Sequence, residues 1–200
     1  MKIARILAAT AFATAFAVTT ASAQAPQAVA VIGQIQGVDG NLLVVKTQAG
    51  EQKVALTNNV AVWGLAKASV SDVAKGAFIG VGATPQADGS QKAIRVIIFA
   101  EPMRGNGEGH RPWTRPNTTM TNATVDTTVS SVDGQNIMVK YKDGEKKIII
   151  GSDAVIRQYV AGDKSELKPG AHVGINATKQ PDGSLQTARV NVGRGDVVPD

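Results

Sequence analysis

Asp88-Gly89-Ser90-Gln91-Lys92-Ala93-Ile94-Arg95-Val96 returns, 94 residues later, as Asp182-Gly183-Ser184-Leu185-Gln186-Thr187-Ala188-Arg189-Val190. In each copy an Asp-Gly step that can take the positive φ of a tight hairpin opens onto a run that alternates with period two, the signature of a strand. The same offset continues outward. Val38-Asp39-Gly40 matches Val132-Asp133-Gly134, Gly50-Glu51 matches Gly144-Glu145, Gly76-Ala77 matches Gly170-Ala171 and Ala83-Thr84 matches Ala177-Thr178. An offset this long, held without a gap from Ala28, means two duplicated domains rather than a solenoid.

Within a copy, Leu43 and Val45 share one face, as do Ile137 and Val139, and Lys46 and Lys140 take the other. Ile79, Val81 and Ala83 correspond to Val173, Ile175 and Ala177, and Ile94, Val96 and Ile98 to Ala188, Val190 and Val192. Both copies thus present one inward set. The polar breaks at 71–76 and 165–170 read as single helical turns, capped by Ser and stopped by Gly. Three strands, a helical turn and two more strands per copy predict an all-β chain of two tandem, small, five-stranded OB-like barrels, with a meander half-barrel as the alternative. Gly80, Gly82 and Gly174 fall mid-strand, where a barrel coils sharply. The expected organisation is a signal peptide at 1–23, a first barrel repeat at 28–100, a linker at 101–121 and a second repeat at 122–194.

With a strand, Val-Asp-Gly, a second strand, a Leu-Lys-Pro-Gly type turn and a closing Asp-Gly-Ser hairpin, the copies resemble an uncharacterised family of exported bacterial domains. They are similar in pattern to OB-fold periplasmic proteins. The resemblance covers 28–99 and 124–192 and implies no catalytic residues. Relatives with a segment like 101–113 are sometimes described as metal-transporter permeases, a description that does not fit a chain without apolar spans.

Export follows from the first residues: Lys2 and Arg5 make a charged start, 6–18 an apolar run and Ala21-Ser22-Ala23 a small-residue cleavage site. The run is rich in Ala and Thr and shorter than the roughly 20 residues a membrane span needs. The expected location is the periplasm or the exterior, with no membrane span. Losing Lys2 and Arg5 lowers the formal charge from +5 to +3, and aromatics are 4% of the chain. That composition excludes a nucleic-acid binder, which gathers basic and stacking residues on one surface. Cysteine is absent, so each half is held by packing alone.

The stretch 101–120 breaks the pattern. Met103, His110 and Met120, with Glu101 and Glu108, are ligand types suited to copper or zinc. Arg104, Arg111 and Arg115 offer planar forks for a carboxylate or phosphate, Trp113 can pack across the repeats, and His172 stands outward where the first copy has Phe78. Phe78, Trp63 and Phe99 are expected to form an exposed apolar patch. Gly105-Asn106-Gly107-Glu108-Gly109 lacks the spacing of a dinucleotide loop, and Pro112 blocks the helix such a loop needs. No nucleophile elbow, Cys or acid-paired His occurs, so the expected function is a non-enzymatic binding module with no cofactor. Its partner would be an envelope protein or a small anionic ligand, and a metal-binding protein using the linker set is the alternative.

Overall fold

The computed structural model describes residues 27–131 and 134–199. The expected signal peptide lies outside the described residues. The first repeat folds as β1 (Gln27–Asp39), β2 (Leu42–Thr47), β3 (Gly50–Lys67), a 3-10 turn (Val70–Asp72), β4 (Phe78–Pro85) and β5 (Gln91–Ile98). A second 3-10 turn (Glu101–Met103) and β6 (Gly109–Pro112) follow. The second repeat gives β7 (Thr119–Ser131), β8 (Gly134–Tyr141), β9 (Gly144–Gly151), β10 (Val155–Ala161), a 3-10 turn (Lys164–Glu166), β11 (His172–Lys179) and β12 (Leu185–Gly193). The chain is therefore all-β; the first repeat has the element order expected, and in the second the third strand is divided into β9 and β10.

The pairings close two five-membered rings. β1 lies antiparallel to β2 and β11, β2 to β3 and β11 to β12, and β12 returns parallel to β3. In the other ring β7 lies antiparallel to β8 and β4, β8 to β9 and β4 to β5, and β5 returns parallel to β9. The strands are not apportioned one repeat to one ring. Each ring takes three strands from one repeat and two from the other, so the boundaries 28–100 and 122–194 mark the sequence repeats while the rings cross them.

The cause is the length of β3 and of its counterpart, β9 continued by β10. The far half of β3 lies antiparallel to β10, with Lys67 opposite Arg157, Leu65 opposite Tyr159 and Trp63 opposite Ala161. Leu65 and Tyr159 are equivalent positions of the repeats, so the pairing is symmetric about them. Each repeat thereby leaves its first three strands and delivers its 3-10 turn and last two strands to the opposite ring. The cores record the exchange. Val31, Leu43 and Val54 pack with Leu167, Val173, Ile175 and Val190 in one, and Ile79, Val81, Val96 and Val73 with Val125, Ile137 and Ile148 in the other.

Two details depart from the sequence reading. Val45 faces Ile35 and its counterpart Val139 faces Val125, so the repeats match at 94 from the second strand onward but at 90 in the first. The β7–β8 hairpin carries the four extra residues, and the gapless match from Ala28 does not extend through β1. On the closing strands Ile94 and Ala188 sit in bulges. The bulges turn Ala93 and Thr187 inward instead, 2% and 5% exposed.

The first and third 3-10 turns carry capping boxes that begin at the residue before them. The Asp72 carboxylate accepts from the Ser69 backbone N–H at 2.8 Å. Asp163 accepts from the Ser165 N–H at 2.8 Å, and its own N–H donates to Glu166 Oε1 at 2.9 Å. The caps are therefore Ser69 and Asp163, two residues ahead of the serines expected from the sequence. Gly76 and Gly170, at φ 85° and 91°, stop the turns as expected. No helix among the described residues is long and apolar enough to cross a membrane.

Candidate functional site

The stretch 101–121 is not a plain connector. β6 lays Gly109–Pro112 antiparallel against the start of β7, with Arg111 opposite Met120 and His110 opposite Thr121. Pro112, which has no N–H to give a ladder, ends the strand. The Gly-rich loop before it turns on Gly105, Gly107 and Gly109, whose φ values of 83°, 60° and 127° other residues rarely adopt. Two carbonyls of that loop aim side chains: Asn106 O accepts from Asn122 Nδ2 at 2.9 Å and Gly107 O from Arg111 Nη1 at 2.8 Å.

The mid-strand glycines make room for neighbouring side chains, and register shifts follow Gly82 and Gly174. A Cβ on Gly82 would stand 2.6 Å from the Trp113 ring, one on Gly80 2.9 Å from Phe99, and one on Gly174 2.8 Å from Pro199. Two guanidinium groups lie over the Trp113 ring, with Arg95 Cζ 4.9 Å and Arg115 Cζ 5.1 Å from its centre. Phe78, Phe99 and Tyr159 form a run of rings with centroids 5.4 and 5.8 Å apart. Phe78 is only 3% exposed, and Phe99 and Trp63 are half-buried. The exposed apolar patch expected from these three is therefore absent: Phe78 is buried with Phe99 against it.

A cleft of about 320 Å³ opens where these elements meet. Arg95 and Ile97 come from β5, Arg189 from β12, Arg111 from β6, Met120 and Asn122 from β7, and Tyr159 from β10, with Phe99 and the Asn106-Gly107 loop completing the wall. The described lining holds three arginines and no carboxylate. No ion pair to Arg111 or Arg189 occurs among the described residues. Asn122, 7% exposed, has an Oδ1 without a hydrogen-bond partner there. A smaller hollow of about 170 Å³ shares Ile97, Tyr159 and Arg189 and is closed by Pro199.

The residues singled out in the sequence are dispersed. Glu101 grips Arg104, whose Nε and Nη2 donate to its two oxygens at 2.6 and 2.7 Å, and Nη2 also donates to Gly76 O at 2.9 Å. That pair holds Glu101 below the ordinary carboxylate range and raises Arg104. Arg104 is thus a clasp between the second 3-10 turn and the entry to β4. Glu108 Oε1 accepts from the Lys142 backbone N–H at 3.0 Å. His110 Nδ1 is 2.8 Å from Thr121 Oγ1 and the ring stacks on Tyr141 at 6.5 Å; burial first, and the charge of Lys146 second, push its pKa down. Met103 is buried at 3% exposure.

Met120, by contrast, lies on the wall of the arginine cleft. No group of three or more His, Cys, Asp or Glu side chains that could hold a metal occurs among the described residues. Of the contact candidates, Arg111 enters the cleft, Trp113 and Arg115 stack outside it, and His172 stands exposed at the start of β11 opposite Gln34.

Arg95, Arg189, Asn122, Phe99 and Tyr159 were not legible as a site in the sequence. The available signal was Arg95 and Arg189 themselves, a charge kept at the same place in both repeats where the strand pattern asks only for alternation. No family model, no curated protein and no solved structure matches the chain.

Proposed function

We propose that the two rings are OB-like barrels of an exported, non-enzymatic binding module that takes an anionic ligand in the cleft at their junction. The observation behind this reading is the convergence of Arg111 and Arg189, from two different strands and without an ion pair among the described residues, on one concavity that Arg95 also lines. Like charges brought together at a partly desolvated surface repel, and an anion between them converts that cost into attraction. Guanidinium forks favour a head group with two coplanar or three oxygens over a simple halide. The charges of Arg111 and Arg189 oppose a cation at Met120, so the metal reading draws nothing from this cleft.

The test is thermal denaturation and calorimetry of the chain from Gln24 with phosphate, sulfate and small carboxylates at constant ionic strength. Saturable stabilisation is expected, weakened about tenfold by Arg189→Ala, the cost of one charge-assisted hydrogen bond, and unchanged by Lys46→Ala at an exposed position of β2. Absence of saturable binding by every anion would remove the reading.

A further inference from the structure

We infer that the outer edge of β1 is a strand-pairing surface for a second copy of this chain. β1 pairs with β11 along 27–34 but with β2 only from Gln34 onward, so 27–33 has one edge that carries no strand among the described residues. The equivalent edge of the other ring is filled. At the offset of 90, residues 29–32 correspond to 119–122 of β7, which pair with β4 on one side and with β6 on the other, Gly109 opposite Asn122 and Arg111 opposite Met120. Exposure follows the cover: Asn122 is 7% exposed and its counterpart Ile32 41%.

Backbone direction shows which groups the bare edge presents. The Ile35 N–H donates to Ala171 O at 2.9 Å, and the Ile35 carbonyl accepts from the Gly170 N–H at 2.8 Å, so Ile35 is turned toward β11. Successive residues of an antiparallel strand direct their N–H and C=O to opposite sides. Ala28, Ala30 and Ile32 are therefore turned toward the open edge. The other ring shows the same alternation: Val125, the counterpart of Ile35, bonds Ala77 and Gly76, while Met120 and Asn122 meet β6. From Gln27 to Gly33 β1 carries no charge, no proline and no bulge, the devices that keep a natural edge from recruiting another strand.

The residues of the edge select its occupant. A charged strand would find no counter-charge on it, whereas the edge matches itself. In antiparallel pairing about a two-fold axis at Ala30, each Ala30 meets the other and each Ala28 meets Ile32. This is the one register in which all three edge-facing residues of both copies are paired, and it sets the large Ile32 side chain beside a small one. A single strand pair buries less than the roughly 1,200 Å² of a standard interface, so the dimer is a reversible one.

The experiment is sedimentation velocity of the chain from Gln24 between about 5 and about 500 μM. A concentration-dependent passage from monomer to dimer is expected. Ile32→Lys, which puts a charge on the edge, should raise the midpoint about tenfold or more. Val129→Lys should leave it unchanged, because Val129 is 64% exposed but lies on a stretch of β7 already paired with β8. The chain has no cysteine, so Ala30→Cys reports the register alone: a short bismaleimide should link it into a covalent dimer and should not link Val129→Cys. Should Ile32→Lys fail to fold, that cross-link decides. Monomer at every concentration, or a dimer that neither responds to Ile32→Lys nor cross-links through Ala30→Cys, overturns the inference. None of these positions lines the arginine cleft, so either result leaves the anion reading to its own test.

Discussion

Gly82 shows how a missing side chain can position a present one. It is buried on β4 with the Trp113 ring over it, and a Cβ there would sit 2.6 Å from the indole. Trp113 in turn is the plate on which Arg95 and Arg115 rest. Gly82→Val should lift the indole from β4, shifting its emission to the red in a Trp63→Phe background and loosening Arg95. Overpacking of this kind costs about 1–3 kcal/mol. An unchanged emission maximum would show that the ring does not depend on that seat. The repeat itself held a clue: Gly80 recurs as Gly174, but Gly82 meets Asn176, and only the first copy is followed by a Trp-bearing segment. The glycines were visible as exceptions to the strand pattern, while the reason for them was not, because the rings they accommodate lie far along the chain.

The strands and turns themselves were readable, since each is decided within a few residues: Asp-Gly steps with Gly40, Gly89 and Gly183 in the left-handed region, and period-two runs between them. Bulges were not, because they depend on the partner strand. One element tie has a pH signature. Arg194 donates to both Glu166 oxygens, at 2.9 and 3.1 Å, and to Ala161 O at 2.8 Å, binding the chain after β12 to the 3-10 turn and to β10. Arg194 holds the Glu166 carboxyl below its ordinary value. A folded pKa below the unfolded one gives stability that is present at and above the ordinary carboxylate range and is lost as pH falls through the folded value. The melting temperature should therefore fall on acidification from about pH 6 to about pH 3, and less steeply in Glu166→Gln, which starts lower at neutral pH. Parallel curves for the two proteins would separate the pair from acid stability.

At the scale of the whole molecule, the duplication was legible and the exchange of strands was not. Period and turn chemistry report which segments are strands; which ring each joins is settled by where β3 and β10 run after they meet at Leu65 and Tyr159. Two self-contained barrels joined by a linker would part when the linker is cut. Interleaved ones would not, because the piece up to the linker supplies β1, β2 and β3 to one ring and β4 and β5 to the other, and each ring closes only with strands from the second piece. The exposed turn at 114–117, where Asn117 takes a φ of 55°, is the place to cut. A protease site inserted between Pro116 and Asn117 and then cleaved should leave two fragments that elute together at the size of the intact chain and part only in denaturant. Their joint unfolding should also become dependent on concentration, since a bimolecular encounter replaces the tether. Fragments that separate on native chromatography, each with its own cooperative transition, would instead return one ring to each repeat.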